Sequence, residues 1–249
     1  MIYPRKSLLL DWIFLAGLRR VMRRRFYGVF VRGLEHLESA RLLNAPLIAC
    51  TNHSNWWDGF VVGLLTARLP GRRVYVAQYE KLLKRYRPLR WLGAFGLDLD
   101  GSALPGLREA MKLLRDPKNV VWIFPQGVLI PQWNPIVVKS GALWLAQRCG
   151  APLLPVVFRY EWMVESRPSI FVQFGGVLMP GATKVELEAA MQALYDDIGR
   201  SLDPEREERL GLSSFAPLFE PKMSMNKRWD WICWQAGGRG PGFNPRNEA

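Results

Sequence analysis

PLIACTNHSNWWDG, residues 46–59, runs from an apolar stretch through a polar turn into a helical pattern. Pro46 to Thr51 has the unbroken apolar character of a buried strand, and Gly59 to Leu69 continues as a helix. His53 and Asp58 lie between them, five positions apart. On a single helix that spacing separates two side chains in azimuth, because each residue turns about 100°. They meet only if the intervening residues form a turn entering the helix. Such a turn follows a strand in an α/β unit, where ligands gather at strand carboxyl ends. A plain structural use also exists for each residue: Asp58 as a helix cap, His53 as a buried and satisfied ring. Chemistry favours the pair. A carboxylate bound to one imidazole nitrogen fixes the tautomer and leaves the other as a general base, suited to removing a proton from an alcohol.

Working outward, strands and helices alternate. Phe26 to Arg32, Arg73 to Gln78, Gly96 to Leu99, Asn119 to Phe124, Leu153 to Arg159 and Ser169 to Phe174 read as strands. Gly33 to Leu43 reads as a turn and short helix, with His36 solvent-exposed. Pro105 to Arg115 is helical, since Leu107, Ala110, Met111 and Leu114 share one face. Ser140 to Cys149 is a helix with a serine start and Gly150 as its stop. Thr183 to Leu202 opens with a capping box, Thr183 and Glu186. This alternation predicts an α/β fold: a mostly parallel sheet flanked by helices on both faces. Lys81 to Trp91 is basic and aromatic, without an assigned element.

The 249 residues carry a net charge of +12 and eleven tryptophans. Basic charge interleaved with Trp suits nucleic acid or an anionic membrane surface. No nucleic-acid-binding motif is present. Cys50, Cys149 and Cys233 are odd in number and widely spaced, which argues for a reducing compartment and against metal ligation. The apolar run beginning at Ser7 contains Asp11, is followed by Arg19, Arg20, Arg23, Arg24 and Arg25, and is too short for a spanning helix of about 20 residues. It lacks the features of a cleaved signal peptide. We read residues 1–32 as a membrane-associating arm, with an interfacial helix that sets Trp12 and Phe14 in the headgroup zone. Residues 33–204 form the principal domain. Residues 205–249 form a Trp-rich extension (Trp229, Trp231 and Trp234 near Lys227 and Arg228) and a disordered tail.

A second stretch carries the chemistry further. Asn119 to Phe124 ends in Phe124, Pro125, Gln126 and Gly127, a tight turn that exposes backbone to a ligand. With Asn52-His53-x4-Asp58 first and Phe-Pro-x-Gly after a buried strand, the chain resembles the glycerolipid acyltransferase family, typified by enzymes that acylate lysophosphatidic acid. The family's first motif is matched by Asn52, His53 and Asp58. Its third, Phe-Pro-Glu-Gly, is matched at Phe124, Pro125 and Gly127, with Gln126 in place of Glu. Lys139 to Ala142 and Leu154 to Val156 are similar to the segments that follow. Two arginines of the family pattern are missing: the second block offers Asp98 and Asp100, and Val128 follows the third motif. Losing guanidinium donors removes the usual grip on a phosphate.

The resemblance implies direct acyl transfer. His53, oriented by Asp58, deprotonates an acceptor hydroxyl, which attacks the thioester of acyl-CoA or acyl carrier protein. No other cofactor and no metal are implied. Asn52, Phe124, Pro125, Gln126, Gly127 and Lys139 are the substrate-binding candidates, with amides around Gln126 and Gly127 as candidate oxyanion donors. Lys139 compensates in part for the missing arginines. The acceptor is then a lysophospholipid-like alcohol or a non-phosphate lipid such as a carotenoid glycoside. A degenerate lipid-binding protein without turnover is the non-enzymatic alternative. The implied setting is peripheral or monotopic, on the cytoplasmic face of a membrane. Nucleic acid is excluded as a partner.

Overall fold

In the computed structural model, which describes residues 2–66, 69, 71–163, 165–202, 214–219, 229 and 232, eight strands form one sheet. The first half of the chain gives α1 (Leu8–Arg25), β1 (Val29–Arg32), α2 (Leu34–Leu42), β2 (Leu47–Thr51), α3 (Asp58–Leu65), β3 (Arg73–Tyr79) and α4 (Glu80–Arg85). A 3-10 helix at Arg87–Leu92 leads to β4 (Ala94–Leu97), α5 (Leu104–Leu113) and β5 (Asn119–Ile123). Then come α6 (Gly141–Cys149), β6 (Leu153–Glu161), β7 (Ser169–Phe174), α7 (Lys184–Ser201) and β8 (Ala216–Phe219). The expected capping box of α7 is formed, with Thr183 and Glu186 each accepting the other's backbone N–H.

The strand order is β4-β3-β5-β2-β6-β7-β1-β8. The five strands from β4 to β6 are all parallel. Beyond them the sheet is mixed: β7 is antiparallel to β6, β1 parallel to β7, and β8 antiparallel to β1. Every residue of β2 and β5 is buried, as strands covered on both faces require. Alternation sorts their side chains. Leu47, Ala49, Val120 and Trp122 pack with α1 and α3. Ile48, Cys50, Val121 and Ile123 pack with α6 and α7. Full burial pushes the Cys50 thiol up to about 12, which keeps it protonated and inert.

This topology places the site. From β2 the chain passes through α3 on one face toward β3; from β5 it passes through α6 on the opposite face to β6, across β2. The adjacent carboxyl ends of β2 and β5 therefore border a crevice where connections diverge, the usual ligand position in an open α/β sheet.

The amino-terminal residues are stitched to this half of the sheet. Gly96 N–H donates to the Ile2 carbonyl at 3.0 Å, Arg5 N–H to Arg90 at 2.7 Å, and Ser7 N–H to Trp91 at 3.0 Å. Lys6 Nζ donates to the Val74 carbonyl at 3.1 Å and pairs with Asp11 at 2.8 Å. α1 then crosses α3 closely at Gly63, where an added Cβ would lie 3.1 Å from Leu18 Cδ2. Leu18 and Met22 are buried, while Leu9, Trp12 and Ile13 project outward. Among the described residues no helix is long and apolar enough to cross a membrane.

Three elements differ in detail from sequence expectation. The short strand is centred two residues earlier, at Ala94–Leu97, because Gly93 in the left-handed region (φ 91°) ends the 3-10 helix and starts it there. The basic, aromatic stretch folds as α4 and the 3-10 helix. β8 had no counterpart in the reading. Cys233, Trp231, Trp234, Lys227, Arg228 and the tail expected to be disordered lie outside the described residues; Trp229 is exposed.

Candidate active site

The turn between β2 and α3 is built around one carboxylate. Asp58 is the first residue of α3 and is fully buried. It does not cap the helix; its side chain turns back into the preceding loop. Oδ2 accepts N–H bonds from Ser54 at 2.8 Å and Asn55 at 2.9 Å, and lies 2.9 Å from His53 Nδ1. Oδ1 accepts the Tyr160 hydroxyl at 2.6 Å. An ionised carboxylate only accepts, so Nδ1 carries the ring proton and Nε2 is left with a lone pair. Burial first, and the Asp58 charge second, pushes the Tyr160 hydroxyl well above its ordinary range, so it remains a donor.

The His53 backbone is held as firmly as its ring. Its N–H donates to Gln126 Oε1 at 2.7 Å, and its carbonyl accepts from Ile130 N–H at 2.8 Å. Both partners belong to the loop after β5, so the first and third motifs are joined through His53. Phe124 lies against the imidazole, with ring centroids 4.4 Å apart. Asn52 works on the other side. Its amide donates to the Phe158 carbonyl at 2.9 Å and accepts from the Phe158 N–H at 2.7 Å, extending the β2–β6 pairing past Thr51.

A cavity of about 840 Å³ opens beside His53, whose side chain keeps 25% exposure. Its wall is mostly apolar. β3 contributes Val74 at one end and Tyr79 at the other, about 16 Å apart along an extended strand. Phe14 and Leu15 of α1 form another part of the wall, and the Lys6–Asp11 pair lies at the Val74 end.

The structure sorts the expected residues. His53, Phe124, Pro125, Gly127 and Lys139 line the cavity; Asn52 and Gln126 are buried behind it. Gly127 takes φ 76°, and a Cβ there would lie 2.9 Å from Lys139 Nζ, so glycine lets the lysine cross the turn. The Gly127 N–H is committed to the Phe124 carbonyl. Tyr160 and Lys6 were not singled out from sequence, and Asp11 was read only as a charge within the amino-terminal apolar run. At the Tyr79 end of the cavity, Asp100 accepts from Tyr79 and pairs with Lys81 at 2.5 Å. Its hydrogen bonds, that from Lys81 foremost, hold its carboxyl below the usual range. Asp98 caps its own turn by accepting from Asp100 and Gly101 N–H. Among the described residues no group of three or more His, Cys, Asp or Glu is placed to hold a metal ion.

With this geometry in place, the relatives can be compared. The sequence profile described as Acyltransferase matches residues 28–159, more than half of the chain. The chain belongs to the acyltransferase family. The matched segment runs from β1 into β6 and contains the whole loop pair around His53. The human 1-acyl-sn-glycerol-3-phosphate acyltransferase alpha is 31% identical over 137 residues, covering 53% of this chain and 46% of that protein. The Bacillus subtilis 1-acyl-sn-glycerol-3-phosphate acyltransferase is 31% identical over 115 residues, covering 45% and 55%. The chain thus spans about half the length of these relatives. The crystal structure of the 1-acyl-sn-glycerophosphate acyltransferase PlsC from Thermotoga maritima shares the fold, with a TM-score of 0.51 at 18% identity, covering 80% of this chain and 81% of that one.

The Asn52 bridge generates a first prediction. Asn52→Ala leaves the buried Phe158 N–H and carbonyl without partners, which should lower unfolding free energy by about 2–4 kcal/mol. Urea denaturation followed by tryptophan fluorescence measures this; an unchanged midpoint would show that the bridge contributes nothing.

Proposed function

We propose that the chain is an O-acyltransferase, moving a fatty acyl group from an acyl thioester (acyl-CoA or acyl carrier protein) to a hydroxyl of a lipid acceptor. One observation carries the reading: an imidazole tied through Nδ1 to a buried carboxylate, in a histidine that lines a large apolar cavity together with Lys139. The hydroxyl of the acceptor gives its proton to His53 Nε2 as its oxygen attacks the thioester carbon. Asp58 stabilises the imidazolium so formed. Collapse of the tetrahedral intermediate breaks the carbon–sulfur bond, and the imidazolium returns the proton to the leaving thiolate. Negative charge on the carbonyl oxygen develops near the Lys139 ammonium, which supports a role for that residue in stabilising it. Gln126 acts behind the histidine; an amide oxygen accepts the His53 N–H as a carboxylate oxygen would. A cavity walled by side chains such as Phe14, Val76 and Leu97 suits hydrocarbon chains.

Acceptor class turns on charge. The names of the relatives point to a lysophosphatidate-like acceptor. A second reading, a lipid alcohol without phosphate such as a glycolipid, is favoured by Asp98 and Asp100 standing where the family pattern has arginine. Of the two lysines lining the cavity, Lys6 is bound to Asp11 and backbone carbonyls, which leaves Lys139 as the phosphate contact.

The membrane is the proposed site of action, at the cytoplasmic face; among the described residues no helix is long and apolar enough to span it. α1 is apolar outward (Leu9, Trp12, Ile13) as well as inward, and a helix apolar on both sides needs a second apolar phase. Trp56, Val128 and Leu129 are exposed and line the cavity, so its mouth is greasy where lipid would enter. Arginines in the last turn of α1 supply attraction to anionic lipid.

Three outcomes are expected. His53→Ala should abolish transfer of radiolabelled acyl groups from a thioester to a lipid alcohol, and Asp58→Asn should lower kcat by about a thousandfold or more; turnover near wild type in either would refute the mechanism. Lys139→Met should raise KM for lysophosphatidate by roughly tenfold without changing KM for an uncharged monoacylglycerol, while kcat falls for both through the lost oxyanion contact; an equal change of KM for both would remove the phosphate role. Trp12→Asp with Ile13→Asp should release the protein from phosphatidylglycerol vesicles in flotation assays, and salt should weaken wild-type binding. Salt-independent binding, unaltered by the substitutions, would count against this docking face.

A further inference from the structure

We propose that Tyr160 is a positioning residue for the reaction: its hydroxyl fixes the plane of the Asp58 carboxylate, so that Oδ2 is presented to His53 Nδ1 and Nε2 is kept as the base. This rests on the acyl-transfer reading of the same cavity. The two oxygens of Asp58 have different tasks. Oδ2 meets His53 and two amides of its own loop, whereas Oδ1 is met by a residue 102 positions away, on β6. A buried carboxylate whose second oxygen lost its donor would be desolvated without compensation and free to swing about its Cβ–Cγ bond. The Tyr160 bond at 2.6 Å removes that freedom.

Tyr160 is itself braced. The Gln132 side chain donates to its carbonyl at 2.9 Å and accepts its N–H at 3.1 Å. Its ring stands 6.1 Å from that of Phe26. Gln132 belongs to the loop whose Ile130 holds the His53 carbonyl. One loop therefore secures both the base and the tyrosine that sets its partner. Tyr160 takes no part in the cavity wall, so its effect passes through Asp58 rather than through contact with substrate. Among the described residues, Asp58 from α3 meets His53, Tyr160 from β6 stands behind it on Asp58, and Lys139, Lys6, Asp11, Tyr79, Tyr86 and Asp100 line the cavity that His53 shares.

Tyr160→Phe removes one oxygen and keeps the ring. We expect kcat to fall roughly 10- to 100-fold with KM for donor and acceptor unchanged. The acid limb of kcat/KM should move to lower pH, because a carboxylate free to turn away holds the imidazolium less tightly. In an Asp58→Asn background the same substitution should change the rate by less than about twofold, as coupled partners do. Nitrogen-15 NMR of the two histidines, with His36→Gln to assign them, reads the clamp without any turnover: wild type should show His53 as one tautomer protonated at Nδ1, and Y160F a mixture. Gln132→Ala, which loosens the tyrosine backbone, should shift the same signals in the same direction. Wild-type kcat, pH profile and tautomer in Y160F would overturn the proposal. Loss of the single tautomer in Y160F, in a protein that transfers no acyl group, would retain the clamp and discard the acyl-transfer reading.

Discussion

Four donors converge on the buried carboxylate of Asp58, and the surrounding architecture can be understood as the means of bringing them there. Two are amides of its own loop, available because the chain turns sharply between β2 and α3. One is the imidazole. The last is a phenol from β6, the strand beside β2. A charge so buried is tolerable only when its lone pairs are satisfied. Because these partners come from different parts of the chain, the carboxylate also locks β2, α3 and β6 into one arrangement. Correct tautomer and correct packing thereby become the same condition.

The sheet makes this compatible with access. His53 stands where helices leave for opposite faces, and the cavity opens at the carboxyl ends of β2 and β5 between them. The loop after β5 closes over only part of the gap, through Ile130 on the His53 carbonyl and Gln126 on its amide. What stays open is apolar and long, with charge confined to a few points along the wall. That separation of a fixed polar end from a greasy interior matches the chemistry of an amphiphile reacting at its head.

Much of this was legible in the sequence, for physical reasons that can be located. β2, α3 and the His53–Asp58 pair are local: an apolar run, a turn and a helix start lie within fourteen residues, and short-range spacing determines whether the side chains meet. β5, β6 and β7 were legible because buried strands must be continuously apolar, and α7 because its capping box is written in two residues three apart. Tyr160 was not legible. Its function depends on β6 lying beside β2, and nothing in Phe158-Arg159-Tyr160 marks one aromatic as a hydrogen-bond donor to a distant acid. β8 escaped because its four residues are largely exposed and show no alternation. Gln126 illustrates a different limit. Its replacement of Glu removes a charge, yet the position is used for an acceptor oxygen, which both side chains possess.

The stitching of Ile2 to Ser7 along β4 and the 3-10 helix, followed by Phe14 and Leu15 in the cavity wall, makes residues 2–15 part of the chamber rather than a leash. A shortened chain beginning at Gly33 would therefore expose its interior to solvent from the side, whatever became of its affinity for lipid.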